Sequence, residues 1–99
     1  MSPTVLADPD ALIGEREMSK LKWRCRRGLL ENDLFIDRFF RRYSGSLTNR
    51  QADALGVLMD LSDNELLDLH LDRKNISQVQ PRLDYEDVHV VLSMLKEKP

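Results

Sequence analysis

Cysteine and long apolar runs are scarce in this sequence, and each scarcity excludes a class of protein. The single cysteine, Cys25, rules out an internal disulfide and suits a reducing compartment. No stretch approaches the roughly 18 consecutive apolar residues that a transmembrane helix needs, which argues against membrane insertion. Residues 1–4 lack the basic and apolar segments that open a signal peptide. We therefore expect a soluble cytoplasmic protein.

The sequence also lacks the patterns of a catalytic or metal site. No glycine-rich phosphate loop, nucleophile elbow or pair of catalytic carboxylates is present. The candidate nucleophiles and bases, Cys25, His70 and His89, fall on separate predicted helices. The two histidines lack the paired spacing of metal ligands and are expected at or near the surface. Cys25 has the spacing of a buried core residue, and a reactive thiol activated by basic neighbours is the alternative. We therefore expect a binding protein without a metal rather than an enzyme.

Charge is nearly balanced, with a formal net charge of −2, but it is unevenly spread. A positive block without carboxylates covers residues 20–27, and a negative block without Lys or Arg covers residues 60–72. Such a bipolar surface favours a protein partner with complementary patches. Nucleic acid bound to the positive block, with Trp23 as a stacking face, is the weaker alternative.

Apolar residues recur at the spacing of amphipathic helices, and no strand-like alternation extends beyond a few residues. The polar residues 72–81 lack this period and are predicted to form the longest internal connection. We predict an all-α fold, a small five-helix bundle in a single domain. The predicted helices cover approximately residues 19–27, 30–43, 48–61, 62–71 and 84–98.

Residues that cap helices mark four of these starts. Gln51 and Glu65 stand at the third position after two of the caps, which completes capping boxes. The predicted N-caps are Ser19, Thr48, Ser62 and Asp84. The preceding residues 1–18 contain two prolines and only short apolar pairs. We predict that they form a mobile N-terminal extension and that residues 19–99 form the bundle.

A tight corner is predicted between the first two helices, over residues 22–33, and is called the corner below. Gly28 fits the left-handed position that closes a helix. Arg26 and Arg27 then lie at the negative end of one helix dipole, and Glu31 lies near the positive end of the next. These residues either display a binding surface or serve only as helix-ending elements. Periodicity does not distinguish between the two roles.

The sequence over residues 23–33, WRCRRGLLEND, closely resembles the signature of the SdhE family. Members of that family are FAD assembly factors of succinate dehydrogenase. Their R-G-x-x-E motif matches Arg27, Gly28 and Glu31, and the acidic position that follows it matches Asp33.

The resemblance continues over residues 19–96. The family's aromatic pair matches residues 39–40, and its downstream acidic block matches residues 58–66. Two departures are present. Leu69 stands where many members have tryptophan, and residues 72–75 lack the glycine-containing turn often found there.

The resemblance implies a monomeric, non-catalytic assembly factor. Such a protein binds the flavoprotein subunit of succinate dehydrogenase, with fumarate reductase as a further candidate client, and promotes covalent attachment of FAD. The client carries the FAD, so no stably bound cofactor is expected here. An antitoxin-like interaction module is the alternative. The predicted partner-binding residues are Trp23, Arg26, Arg27, Gly28, Glu31 and Asp33.

Overall fold

Amphipathic segments fold as helices wherever the spacing predicts them. The computed structural model describes residues 8–26 and 30–97. Within these ranges no strand is present, and the single β-type contact is an isolated bridge between Leu12 and Thr48. The predicted all-α fold is confirmed. The helices are α1 (Glu15–Arg24), α2 (Leu30–Tyr43), α3 (Asn49–Leu58), α4 (Asp63–His70), α5 (Ile76–Val79), a 3₁₀ helix (Pro81–Leu83) and α6 (Glu86–Leu95).

The centre of the core lies between α3 and α6, which form the most extensive helix–helix contact. Leu55 and Leu58 of α3 face Val88, Val91 and Leu95 of α6, and all five side chains are fully buried. Their spacing of three and four residues is the apolar stripe predicted for both helices. Helix α2 packs against α4 and α6, and α1 packs against α3. The corner therefore lies beside this centre rather than within it.

Both predicted capping boxes are present and fix the starts of α3 and α4. The amide of Gln51 donates to Thr48 Oγ1 at 3.2 Å, and the amide of Thr48 donates to Gln51 Oε1 at 3.1 Å. Ser62 and Glu65 make the same reciprocal pair. Each box satisfies two backbone donors that a helix start would otherwise leave open.

The predicted caps of the first and last helices are wrong. Helix α1 begins at Glu15, after Gly14 as N-cap, so Ser19 lies inside the helix. Glu15 and Glu17 in its first turn complement the helix dipole without a side-chain cap. Asp84 does not cap α6, because its carboxylate bonds His89.

Residues 8–13, which lie inside the predicted extension, contact the bundle through the backbone. The amide of Ile13 donates to the carbonyl of Leu47 at 2.9 Å, and the amide of Asn49 donates to that of Ala11 at 2.9 Å. The side chains of Ile13 and Met18 pack against the core. The proposed division of the chain after residue 18 stays a prediction.

The predicted connection over residues 72–81 is partly helical, which corrects the sequence prediction. A third capping box, Asn75 with Gln78, opens α5, and the side chain of Ile76 is buried. Asp72 has a φ of 59°, a left-handed conformation that aspartate tolerates better than most residues. This residue makes the turn without the glycine often found in the SdhE family at that place.

Candidate functional site

The C-terminal end of α1 forms one side of the corner and turns its basic residues outward. The amide of Cys25 donates to the carbonyl of Leu21 at 2.9 Å, which continues the helical pattern beyond Arg24. Leu21 and Cys25 are both buried, as predicted. Lys22 and Arg26, each one residue further on, are exposed.

Two cations at this helix end lie over aromatic rings. The guanidinium carbon of Arg26 lies 5.1 Å from the ring of Trp23, and Lys22 Nζ lies 5.6 Å from the centroid of the Phe40 ring. Neither Lys22 nor Arg26 forms an ion pair with a residue that the structure describes. Trp23 itself is 72% exposed. An exposed aromatic ring and two cations without an ion-pair partner among the described residues thus lie together at this helix end.

The first turn of α2 forms the other side of the corner. Glu31 is exposed and Asp33 is half-buried, and both carboxylates lie at the positive end of the α2 dipole. Leu30 and Leu34 are 68% and 57% exposed. Asn32, between these residues, is fully buried. The turn therefore displays charge and apolar surface outward while one amide holds it to the bundle.

Asn32 is held by a buried polar link to α4. Its Nδ2 donates to the carbonyl of Asp63 at 3.0 Å, and its Oδ1 lies 2.9 Å from His70 Nδ1. Because the amide oxygen can only accept, Nδ1 carries the proton. His70 is buried and stacks on Phe35, with ring centroids 4.4 Å apart. The expectation that His70 lies at or near the surface is wrong. The hydrogen bond to Asn32 offsets part of the cost of burying the polar ring.

His70 is neutral at physiological pH. Burial, with the positive charges of Lys96 and Arg38, lowers its pKa to about 4. Nδ1 bonds Asn32, whereas the buried Nε2 has no hydrogen-bond partner in the described part of the chain. A proton on Nε2 would place an unpaired charge in the interior, which explains the direction of the shift. The role of His70 is thus to support the start of α2.

A groove separates α1 from α2 beside the corner, with a volume of about 770 Å³. It is called the α1–α2 groove below. Both apolar and charged side chains line it. Its principal lining residues are Lys22, Arg26, Leu30, Asp33, Leu34 and Phe40.

The structure describes four of the six predicted partner-binding residues; Arg26 lies beside Trp23, and Arg26 and Asp33 both line the α1–α2 groove. Arg27 and Gly28 lie outside the described residues. The exposed leucines of α2 were not singled out from sequence, although a signal was present. Leu30 and Leu34 fall four residues apart on the side of α2 opposite Phe39 and Tyr43. The predicted partner-binding residues that fall within the described ranges are Trp23, Arg26, Glu31 and Asp33.

The candidate nucleophile and bases named from the sequence do not pair with one another at the surface. Cys25 and His70 are buried, and the ring of His89 is bonded to Asp84 at 2.6 Å. In the same residues no group of three or more His, Cys, Asp and Glu side chains is arranged to hold a metal. Over the described ranges, every helix is too short or too polar to cross a bilayer.

Comparison with known proteins relates this chain to a family. The family model Sdh5, described as the flavinator of succinate dehydrogenase, matches residues 19–98. The chain belongs to this family. The match covers the corner, the α1–α2 groove and the whole α3–α6 core. The resemblance inferred from the motif is therefore confirmed.

Individual members of the family match different lengths of this chain. The FAD assembly factor SdhE of Ralstonia nicotianae is 46% identical over 78 residues, which are 79% of each chain. The protein of that name from Legionella pneumophila is 41% identical over 54 residues, 54% of this chain and 68% of the relative. That from Coxiella burnetii is 39% identical over 49 residues, 50% of this chain and 60% of the relative. No solved structure matched the chain significantly.

The departures from the family pattern leave the bundle intact. Leu69, at the position where many members have tryptophan, is buried with 1% of its surface exposed. Asp72 supplies the left-handed turn after α4. Both changes lie on the α4–α5 side and outside the corner.

Proposed function

We propose that the protein is an assembly factor that binds the flavoprotein subunit of succinate dehydrogenase and promotes covalent attachment of FAD to it. The family match over residues 19–98 carries this proposal. The curated relatives are themselves named FAD assembly factors. An exposed corner with charges of both signs is the kind of surface that such binding requires.

The contribution of this chain is binding rather than bond formation. Both the flavin and the histidine that receives it belong to the client, so no side chain of this protein needs to react. The protein favours the client conformation in which histidine and isoalloxazine are aligned. It requires no cofactor of its own, and it acts as a cytoplasmic monomer. Fumarate reductase is a further client in this proposal.

In this proposal the predicted partner-binding residues contact the client in different ways. Gly28 allows the client to approach the backbone closely, and Arg27 pairs with client carboxylates or carbonyls. Glu31 accepts hydrogen bonds from client donors. Arg26 and Asp33 support these contacts, and Trp23 lies at the rim. The exposure of Trp23, Arg26 and Glu31 supports this assignment.

Deletion of the gene tests the function directly. Succinate dehydrogenase flavoprotein from deletion and wild-type cells is run on a denaturing gel and viewed under ultraviolet light. We expect covalent flavin fluorescence to be lost or strongly reduced in the deletion strain and restored by the gene on a plasmid. Unchanged fluorescence at equal flavoprotein level would refute the proposal for this client.

Substitution of Gly28 tests the motif. We expect Gly28→Arg to abolish pull-down of the flavoprotein while helicity, measured by circular dichroism, is preserved. Gly45→Arg is the matched control, because a Cβ atom added at Gly45 meets nothing within 4 Å. It should bind the flavoprotein as wild type does. Loss of helicity together with binding in Gly28→Arg would indicate that this glycine is only a fold element.

Nucleic-acid binding is the second candidate, because Trp23 and Arg26 offer a stacking face and positive charge. The neighbouring carboxylates of Glu31 and Asp33 would repel phosphates, which favours the protein client. A salt-dependent mobility shift with single-stranded or duplex probes at physiological ionic strength would reverse this ranking. The antitoxin alternative predicts instead that this protein relieves growth arrest caused by a neighbouring toxin gene.

A further inference from the structure

Exposed apolar side chains concentrate beside the corner. Trp23, Leu30 and Leu34 are 72%, 68% and 57% exposed, and among the described large apolar residues only Leu12, at 62%, is comparable. Leu30 and Leu34 are one helical turn apart and so lie on one face of α2. Apolar surface that is grouped in this way, with polar groups at its edge, marks an interaction site.

The α1–α2 groove gives this apolar surface a defined shape. Leu30 and Leu34 line it from α2, and the half-buried ring of Phe40 also contributes to its lining. Lys22 and Arg26 line it from α1. An occupant would therefore meet leucine side chains on one wall and two cations on the other.

The charges along the groove are unequally compensated. Asp37 is paired with Arg41 at 3.0 Å, one turn further along α2. In contrast, Lys22 and Arg26 form no ion pair within the described residues. The α1 wall thus carries positive charge that a carboxylate of the occupant can neutralise.

We propose that the α1–α2 groove binds an apolar segment of the flavoprotein client that also carries a carboxylate. The apolar side chains of that segment cover Leu30 and Leu34, and the carboxylate pairs with Lys22 or Arg26. This inference rests on the proposed function and specifies the chemistry of the client segment. It extends the binding surface beyond the R-G-x-x-E motif to residues that the motif does not contain.

The client is favoured over other occupants by position and by charge. The groove includes Arg26 and Asp33, two of the predicted partner-binding residues, so one client can cover the corner and the groove together. A nucleic acid would place phosphates near Asp33 and Asp37. A second copy of this chain is a further occupant that the experiments below distinguish from the client.

Site-specific photocross-linking identifies the occupant. A photoreactive amino acid is introduced at Leu34, and at Leu71 as the control, since Leu71 is 43% exposed at the C-terminal end of α4 and does not line the groove. Each variant is irradiated with the purified flavoprotein subunit, and cross-linked peptides are identified by mass spectrometry. We expect position 34 to yield one client peptide that contains apolar residues and Asp or Glu, and position 71 to yield none. A peptide without a carboxylate, or a cross-link only to a second copy, would overturn the proposal.

Affinity measurements separate this proposal from the proposed function. We expect Leu30→Ser/Leu34→Ser to weaken binding of the flavoprotein by roughly tenfold or more in isothermal titration calorimetry. Leu71→Ser should change it less than about twofold, as is usual for a residue outside an interface. If wild type does not bind the flavoprotein, the proposed function fails. If wild type binds and the groove variant binds equally well, only the groove inference fails.

Charge reversal tests the cationic wall. Lys22→Glu/Arg26→Glu should weaken binding by roughly tenfold at low salt and by less as ionic strength rises, because screening removes the attraction. Arg73→Glu/Lys74→Glu, which makes the same change of charge at two exposed residues outside the groove, is the matched control and should bind within about threefold of wild type. Equal losses in both variants would show that the α1 cations have no special role.

Sedimentation at increasing concentration checks for a dimer of this protein. A dimer that Leu30→Ser/Leu34→Ser dissociates would assign the groove to self-association.

Discussion

The α3–α6 contact and the start of α2 use the same residue type in opposite ways. Leu55 and Leu58 of α3 are 0% exposed, whereas Leu30 and Leu34 of α2 are 68% and 57% exposed. Burial of leucine contributes about 1.5–3 kcal/mol of stability for each side chain. The leucines of α2 largely forgo this contribution. The difference indicates that stability resides in the centre of the bundle, and it supports the proposal that the corner serves recognition.

A buried polar link attaches the start of α2 to the bundle. Asn32 belongs to the exposed turn of α2 but points inward to His70 of α4. Such a link is favourable only while its donors and acceptors are satisfied, because an unpaired polar group in the interior is costly. The corner can therefore expose its neighbouring side chains without losing its attachment to the bundle.

Truncation of one leucine in each region gives the largest expected contrast. Leu58→Ala should lower the free energy of unfolding by about 2–5 kcal/mol, because it leaves a cavity in a fully packed centre. Leu34→Ala should lower it by less than about 0.5 kcal/mol, because the side chain is mostly in water. Urea denaturation followed by circular dichroism measures both. Similar losses would refute the division between the two regions.

Acid should destabilise the protein through His70. The pKa of His70 is about 4 in the folded protein and 6.5 when exposed, so the unfolded chain takes up the proton first. The contribution of neutral His70 to the free energy of unfolding is constant above pH 6.5 and is lost as the pH falls towards 4. The loss amounts to about 3 kcal/mol from the ratio of the two proton affinities. Urea midpoints measured from pH 7 to pH 4 test this expectation.

Two substitutions assign the pH dependence to one histidine. His70→Gln removes the titrating ring but keeps a donor for Asn32, so it should remove this part of the acid-induced loss. His89→Gln removes the other histidine, which lies at the surface, and should retain the part due to His70. A loss that is unchanged in His70→Gln would mean that carboxylates alone cause it.

Local signals in the sequence predicted most of the bundle. Helix α2 has the predicted bounds of residues 30–43, and the boxes at Thr48 and Ser62 start α3 and α4 as expected. These signals lie within a few residues of each other and require no knowledge of tertiary structure. The start of α1 was missed because Gly14 makes no side-chain cap bond that a sequence could reveal.

Signals that depend on distant residues were not accessible from the sequence. His70 lies 38 positions from Asn32, and only the packing of α4 on α2 joins their side chains. For the site, the motif pointed to the corner because its residues are contiguous. The α1–α2 groove required the structure, since Lys22 of α1 and Leu34 of α2 come together only when the chain folds back.

Two adjacent residues of α2, one buried and one exposed, should show a smaller contrast in stability. Asn32→Ala should lower the free energy of unfolding by about 1–3 kcal/mol, because it removes two buried hydrogen bonds and leaves the His70 Nδ1 proton unpaired. Glu31→Ala should lower it by less than about 1 kcal/mol, through the lost interaction with the helix dipole. Flavoprotein binding should show the reverse order when both proteins are folded. Parallel denaturation and calorimetry separate the two effects, and equal effects in both assays would remove the distinction between inward and outward residues.

The smallest expected change in the free energy of unfolding is at Gly56 of α3, which lies beside Arg24 of α1. A methyl group at Gly56 would lie 3.0 Å from Nη1 of Arg24, which pairs with Asp60 at 2.7 Å. Alanine in a helix interior is favoured over glycine by about 1 kcal/mol. Displacement of an exposed ion pair costs about 0–1 kcal/mol, so Gly56→Ala should be neutral or slightly stabilising. In an Arg24→Ala background the obstructing guanidinium is absent, and the full gain of about 1 kcal/mol should be recovered in urea denaturation. A loss of stability in that background would show that the tight contact involves the helix backbones rather than one mobile side chain.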